Sequence, residues 1–379
     1  MIDIIIPIYK GLHQTRRCID SVLGGGQTAA FEVVAIDDAS PDPGITIYLN
    51  ELAGRGRITL VRNASNLGFV QSVNRGMALH ADRDVVLLNS DTEVANDWLD
   101  RLRRGAYGQP DVGTVTPFSN NATICSYPFE GWAGGMPGTL SLAALDRLFA
   151  TTNAGRMVEL PTAVGFCMYI RRACLDQLGL FDARRFGRGY GEENDFCMRA
   201  ANAGWRNVLA GDVFVFHEGS VSFADERAAL TMNAGKTLAD LYPDYVRKVR
   251  EFVTRDLASA LRAAVDGARM ALGADELRRV LAERLEERSL IKARLTEAEQ
   301  YAAEREPLIA KLRQGLALAE ALLVERDEEI AKLRSGLGHA ETLAFDRARE
   351  LDELHKSWIW KCRIFLMRMK SRGHPHTPA

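Results

Sequence analysis

The stretch Val85-Val86-Leu87-Leu88-Asn89-Ser90-Asp91-Thr92-Glu93 sets the tightest limit on the fold. A short apolar run, rich in β-branched residues, stops abruptly at an acidic, polar turn. A run that is apolar on both alternating faces belongs to a strand covered on both sides, as in a parallel sheet. In open α/β sheets ligands sit just beyond the carboxyl ends of the strands. An Asp there is often an ordinary turn or N-cap residue. It also suits a hard divalent cation held against a phosphate, because such cations favour oxygen ligands.

The same pattern recurs over the first ~250 residues. Ile2 to Ile8 reads as a strand, Thr15 to Leu23 as a helix, and Phe31 to Ile36 as a second strand ending in Asp37-Asp38. Ile58 to Val61, a helix over Gln71 to Leu79, and the strand Val85 to Leu88 follow. Strands alternating with helices predict an α/β domain over residues 1–255, a mostly parallel sheet flanked by helices. Gly24-Gly25-Gly26 follows a helix, so it is not a phosphate cradle, which lies between a strand and the helix it opens.

Formal net charge is -2, which excludes a general nucleic-acid binder. The 6 cysteines are scattered without a CxxC pair, so neither a zinc site nor a disulfide framework is expected, and a reducing, cytoplasmic setting fits. The chain opens on a strand, without the pattern of a signal peptide. No apolar run approaches the roughly 20 residues that span a bilayer, so any membrane contact is expected to be peripheral.

From about Asp256 strand formers vanish, and Ala, Leu, Glu and Arg dominate through residue 354. With Leu281 at heptad position a, the a positions include Leu295, Ile309, Leu316, Leu323, Ile330, Leu337 and Leu351; d includes Ile291, Leu312, Leu333 and Leu354. A 3.5-residue apolar period held this long predicts a coiled coil, and hence a homo-oligomer, with a dimer as the default. A long single helix with a solvated charged face is the alternative. Ile309-Ala310-Lys311-Leu312-Arg313 recurs at Ile330-Ala331-Lys332-Leu333-Arg334, and Arg284, Arg305, Arg326 and Arg347 keep the same 21-residue spacing, all at d. Pro307 is expected to kink or interrupt the helix. Residues 355–379 form a separate tail, in which Trp358, Trp360 and Phe365 are interleaved with Lys356, Lys361, Arg363 and Arg368. An amphipathic helix on an anionic membrane and a docking helix for a protein both fit. The last residues, through His374, Pro375 and His376, are expected to lack order.

Four clusters could carry chemistry. Pro7-Ile8-Tyr9 ends the first strand, and Asp37-Asp38 ends the second, where adjacent carboxylates can accept from a base N–H and ribose hydroxyls. Asn66-Leu67-Gly68-Phe69 precedes a helix, and its glycine lets backbone approach a ligand. Asn89-Ser90-Asp91 is the third. The fourth, Gly187 to Arg199, passes from glycines to the acids Glu192, Glu193 and Asp195 at a loop-to-helix junction. Such acids suit the helix dipole. A carboxylate there can also serve as a general base if burial raises its pKa. His217 ends the strand from Val213, and its imidazole can ligate a metal.

In this order the clusters resemble an inverting glycosyltransferase of family 2, with the GT-A fold, over about residues 1–250. The resemblance implies a nucleotide-sugar donor, with Asp38 and Asp37 at the base and Pro7, Tyr9, Asn66, Gly68, Asn89 and Ser90 lining the same pocket. It implies Asp91 as the metal-binding acid of a DXD motif, His217 completing the site, and Mn²⁺ or Mg²⁺ as cofactor. Glu193 falls at the base position, with Glu192 and Asp195 as alternative carboxylates. Asn120 and Gly165 fall where relatives meet the donor sugar and acceptor. Two departures stand out: Asn89 replaces the first acid of DXD, and Glu193 replaces the usual Asp. The expected activity is metal-dependent transfer from a UDP- or dTDP-sugar to a glycan or lipid-linked glycan of the bacterial surface, at the inner face of the plasma membrane. The competing readings are a nucleotide-binding scaffold that assembles polysaccharide enzymes, and a nucleotidyltransferase.

Overall fold

Successive residues of the central strands enter two different cores, which is why their sequences are apolar without alternation. Ile4, Ile6, Val33, Ala35, Val86 and Leu88 pack in one, while Ile5, Val34, Ile36, Val85 and Leu87 pack in the other. The structure, a computed structural model, describes residues 1–219 and 227–371. His374, Pro375 and His376, expected to lack order, lie outside the described residues.

The strands are β1 (Ile2–Ile8), β2 (Phe31–Asp37), β3 (Thr59–Arg62), β4 (Asp84–Leu88), β5 (Thr92–Glu93), β6 (Val112–Ser119), β7 (Met157–Leu160), β8 (Cys167–Ile170) and β9 (Arg206–His217). They form a 9-stranded sheet in the order β3-β2-β1-β4-β8-β6-β9-β5, with β7 on β9. β1 to β4 are parallel and β9 is parallel to β6, but β8 runs antiparallel to both β4 and β6. β5 and β7 are antiparallel to β9. The sequence predicts a mostly parallel sheet, and the sheet is mixed. An apolar run reveals that both faces are covered, not which way the strand points. The carboxyl ends of β1, β2, β4, β6 and β9 and the amino end of β8 therefore share one edge.

Glycines set the helix starts on that edge. The helix predicted from Thr15 begins at Leu12, behind Gly11 at φ 86, and the one predicted from Gln71 begins at Phe69, behind Gly68 at φ 83. Both conformations are left-handed and favour Gly.

β9 carries a bulge. Pro117 pairs with Ala210 but Phe118 pairs with Phe214, so Gly211, Asp212 and Val213 are extra. The buried Arg101 donates to the Asp212 carbonyl and, at 2.5 Å, to Asp146. Asp146 in turn accepts the Phe214 N–H at 3.0 Å. A Cβ at Gly211 would lie 2.8 Å from the Arg156 carbonyl oxygen.

Composition changes at Asp256, yet the first compact unit runs Met1–Leu290. The helix Ser259–Met270 and the first turns of the helix Ala274–Ser371 belong to it. Arg269, 0% exposed, holds them: it donates to Glu276 at 2.8 Å, Glu283 at 2.7 Å and the Tyr127 hydroxyl at 2.9 Å. Glu276 and Glu283 also accept the N–H groups of Thr139 and Gly138.

The second unit, Ile291–Ala379, is described as helix alone, through Ser371. Pro307, expected to kink or interrupt the helix, lies inside it, and the helix is not interrupted there. Proline removes one N–H donor, and the turns on either side carry the helix across. Trp358, Ile359 and Trp360 are consecutive in the helix and all exposed. At about 100° per residue they point three ways round, so the tail is not one-sided as an amphipathic helix would be.

Removing Arg269 strands two buried carboxylates. Arg269→Ala should lower the unfolding free energy by about 3–5 kcal/mol, whereas Arg278→Ala, at an exposed pair, should change it little. Urea denaturation followed by circular dichroism distinguishes the two.

Candidate active site

A cavity of about 570 Å³ opens at the strand-end edge. It brings together Pro7, Tyr9, Asp38, Asn89, Ser90, Asp91, Gly165, Glu192, Glu193 and His217, which are spread over the length of the first unit.

Asp91 and His217 meet through strand pairing. Thr92 N–H bonds to the Asn89 carbonyl at 3.2 Å, closing a turn with Asp91 in it, and Thr92 then pairs with His217 across β5 and β9. His217 Nε2 lies 3.5 Å from Asp91 Oδ1. His217 Nδ1 lies 2.7 Å from the Asn121 carbonyl oxygen. A carbonyl only accepts, so Nδ1 carries a proton and Nε2 is the ring atom turned toward the carboxylate. Asp91 Oδ1 and His217 Nε2 converge, with a carbonyl orienting the imidazole from behind; this donor set suits a divalent cation. Phe166 stacks on the His217 ring at 5.3 Å between centroids. Another acidic group with a histidine, Asp3, Glu32 and His80, lies at the opposite end of β1 and β2. Arg83 already bridges it, at 3.0 Å from Asp3 and 2.6 Å from Glu32.

Asp38 is buried and shapes the cavity from behind. Its carboxylate accepts the N–H groups of Leu67 at 2.8 Å and Gly68 at 2.9 Å, and Asn63 Nδ2 at 2.7 Å. Gly68 in turn packs on the next loop, where a Cβ would lie 2.8 Å from Arg188 Cα. Phe69 N–H donates to the Arg188 carbonyl at 3.0 Å. Asn66 accepts from Gly68 and from Arg188, both at 3.1 Å.

Glu192 and Glu193 start the helix Glu192–Asn202 behind Gly191, at φ 90. Glu192 is 4% exposed, and its Oε2 is buried without a hydrogen-bond partner. Burial, and then the charge of Glu193, push the Glu192 carboxyl well above the usual range. Burial also raises Glu193, against the helix-start N–H groups that stabilise its charge. Glu192, the more deeply buried, is raised the more, and Glu193, held at the helix-start N–H groups, is the better placed to serve as a base.

Five expected site residues do not line the cavity. Asp37 accepts from Ser40 N–H at 2.9 Å and pairs with Arg62. Asn66 and Gly68 hold the loop contacts above. Asn120 accepts the His217 N–H at 2.8 Å and donates to the His217 carbonyl at 2.9 Å, so it fixes the histidine backbone. Asp195 faces away, accepting from Tyr242 at 2.7 Å and Arg199 at 2.8 Å. One turn of helix separates it from the Glu192 side. Sequence reasoning gave no role to Arg188, Tyr190 and Tyr245, which line the cavity. The alternation of glycines at 187, 189 and 191 marks the loop that carries the first two, with Tyr190 itself at φ 70. No motif marks Tyr245.

Residues 3–179 match the sequence profile of Glycosyl transferase family 2. An uncharacterized protein, y4gI, of Sinorhizobium fredii is 25% identical over 239 residues, which is 60% of this chain and 25% of that protein. An N-acetylglucosaminyl-diphospho-decaprenol L-rhamnosyltransferase of Mycobacterium tuberculosis is 25% identical over 201 residues, 48% of this chain and 62% of that protein. The chain thus spans less than two thirds of either relative. Among solved structures, GalNAc-T7 with UDP, GalNAc and Mn²⁺ superposes with a TM-score of 0.49 at 19% identity, over 69% of this chain and 52% of that one. A mannosyltransferase from Pyrobaculum calidifontis with GDP-Man and Mn²⁺ gives 0.47 at 18% identity, over 75% and 79%.

The strain in the carboxylate pair has a measurable sign. Because burial raises Glu192 above its ordinary 4.5, the folded state holds a proton that the unfolded state releases, and wild-type stability falls as pH rises beyond that value. Glu192→Gln should therefore melt higher than wild type at pH 7–8. The gain should shrink as pH falls toward the ordinary carboxylate range. Thermal melts across pH check it.

Proposed function

We propose that this chain, which carries a glycosyl transferase family 2 domain over residues 3–179, moves a sugar from a UDP- or dTDP-linked donor to a glycan or lipid-linked glycan of the bacterial surface, inverting the anomeric carbon. The observation that carries this reading is the Asp91–His217 pair and the buried Glu192 beside the half-buried Glu193, all opening on one cavity at the strand-end edge.

Asp91 and His217 would hold Mn²⁺ or Mg²⁺, and the bound cation supplies charge neutralisation on the leaving diphosphate. Asn89 stands in the same turn as a neutral donor-side contact. Tyr9 and the Asp38-braced loop form the nucleotide end of the cavity. Glu193 takes the proton of the acceptor hydroxyl. The hydroxyl oxygen bonds to the anomeric carbon as the bond to the diphosphate breaks, and the electron pair leaves on the phosphate oxygen. A single displacement needs no nucleophilic side chain, and inversion follows.

Although the tail helix is not one-sided, its exposed Trp358, Trp360 and Phe365 suit a membrane interface and its Lys356, Lys361 and Arg363 are attracted to anionic headgroups, where a lipid-linked acceptor would lie. Among the described residues no helix is long and apolar enough to cross a membrane. The basic residues of the tail support a place on the inner face of the plasma membrane, whose anionic surface attracts Lys and Arg.

Nucleotide release from a panel of UDP- and dTDP-sugars tests the chemistry. Release should need Mn²⁺ or Mg²⁺ and stop with chelator. Glu193→Ala should slow it by about 10²–10⁴-fold, and Asp91→Ala should remove the metal requirement together with the activity. Turnover unchanged in both variants would sink the assignment. Flotation with vesicles containing phosphatidylglycerol tests the tail: wild type should float, and Lys361→Glu/Arg363→Glu should stay in the soluble fraction.

A further inference from the structure

We infer that the helix from Ile291 onward pairs with a second copy of this chain as a parallel, in-register, two-stranded coiled coil. Its heptad seam is uncovered: Ile291 is 58% exposed, Leu312 65%, Leu333 67% and Leu354 66%. Large aliphatic side chains repeating at 3.5 residues along a solvated helix gain burial only from another helix with the same period.

Charge identifies the occupant as a like copy in one orientation. In a parallel, in-register pair each g residue faces the partner's e residue of the next heptad. Arg294 then meets the partner's Glu299, Glu329 meets the partner's Arg334, and Glu350 meets the partner's His355. No g–e pair between 294 and 355 joins like charges.

Two of the three seam arginines beyond Ile291 fit the same arrangement, while Arg347 is followed at e by Ala348. Arg305 and Arg326, at d, are each followed at e by an acid, Glu306 and Asp327. In a parallel two-stranded seam the e residue of the partner flanks d, so each arginine reaches a carboxylate at the seam's edge. A third strand would bury that charge. Ile309 and Ile330 at a, with Leu312 and Leu333 at d, also favour two strands. The first arginine of the series, Arg284, is engaged elsewhere: it pairs with Asp266 and Glu287 inside the first unit. The seam therefore starts beyond it. The assembly needs nothing from the chemistry at the sheet edge.

Light scattering on the full chain should give about twice the 41.9 kDa chain mass. In a Cys362→Ser background, Leu333→Cys should form an interchain disulfide on mild oxidation, while Lys332→Cys, on the outer face, should not. Glu329→Lys should raise the dimer dissociation constant about tenfold, since two pairs pass from attraction to repulsion. Adding Arg334→Glu should restore it. That rescue separates lost pairing from misfolding. A monomer or trimer mass, failure of Leu333→Cys to cross-link, or no rescue by the charge swap would each overturn the arrangement.

Discussion

The buried ion pair between Arg101 and Asp146 is the contact on which the site depends. Two charges taken out of water are costly unless their remaining hydrogen bonds are met. Here Arg101 also binds the Asp212 carbonyl, and Asp146 also binds the Phe214 N–H. Both second contacts fall on the β9 bulge. The pair therefore fixes how far the end of β9 is offset from its beginning. That offset sets Thr92 opposite His217, and the turn before Thr92 then presents Asp91. Asn120 grips the His217 backbone on both sides, so the histidine is located by main-chain hydrogen bonds before its ring is considered.

The other half of the site is built against stability. Glu192 lies in the cavity wall with an oxygen that no protein group satisfies, beside a second acid. A fold selected for stability alone would place an apolar residue or an amide there. The neighbouring loops are held instead by satisfied hydrogen bonds: the Asp38 carboxylate braces the Asn63–Gly68 turn, and the Phe69 N–H that follows it holds the Arg188 loop. Rigid surroundings allow an unfavourable carboxylate to persist where chemistry needs it.

Much of this was legible in the sequence, and the failures have physical causes. Apolar runs that stop at Asp37, Asn89 and His217 locate strand ends, because the central stretch of a doubly covered strand is mostly apolar. The direction of β8 was hidden, since Cys167–Ile170 is apolar whichever way it runs. Asp195 stands close to the glutamates in sequence, but two residues after Glu193 it lies across the helix from it, and one turn beyond Glu192 it is taken up by Tyr242 and Arg199. Asn120 and Gly68 were found as site residues but act on protein rather than on the cavity. Motif spacing reports that a residue matters, and only geometry reports what it touches. The end of the first unit was obscured because Arg269, Glu276 and Glu283 have the composition of a solvated helix, although they are buried.

The bulge in β9 also divides the chain's tolerance to changes in length. Residues before Gly211 pair with β7 and the start of β6, and those after Val213 pair with the end of β6 and with β5. An insertion among the three bulged residues displaces an irregular segment. A single deletion between Phe214 and His217 shifts a strand whose side chains alternate, and turns the imidazole to the opposite face of the sheet. Chain length is thus least constrained within Gly211–Val213 and strictly constrained in the paired stretches on both sides, where a one-residue change beyond Val213 reaches the histidine.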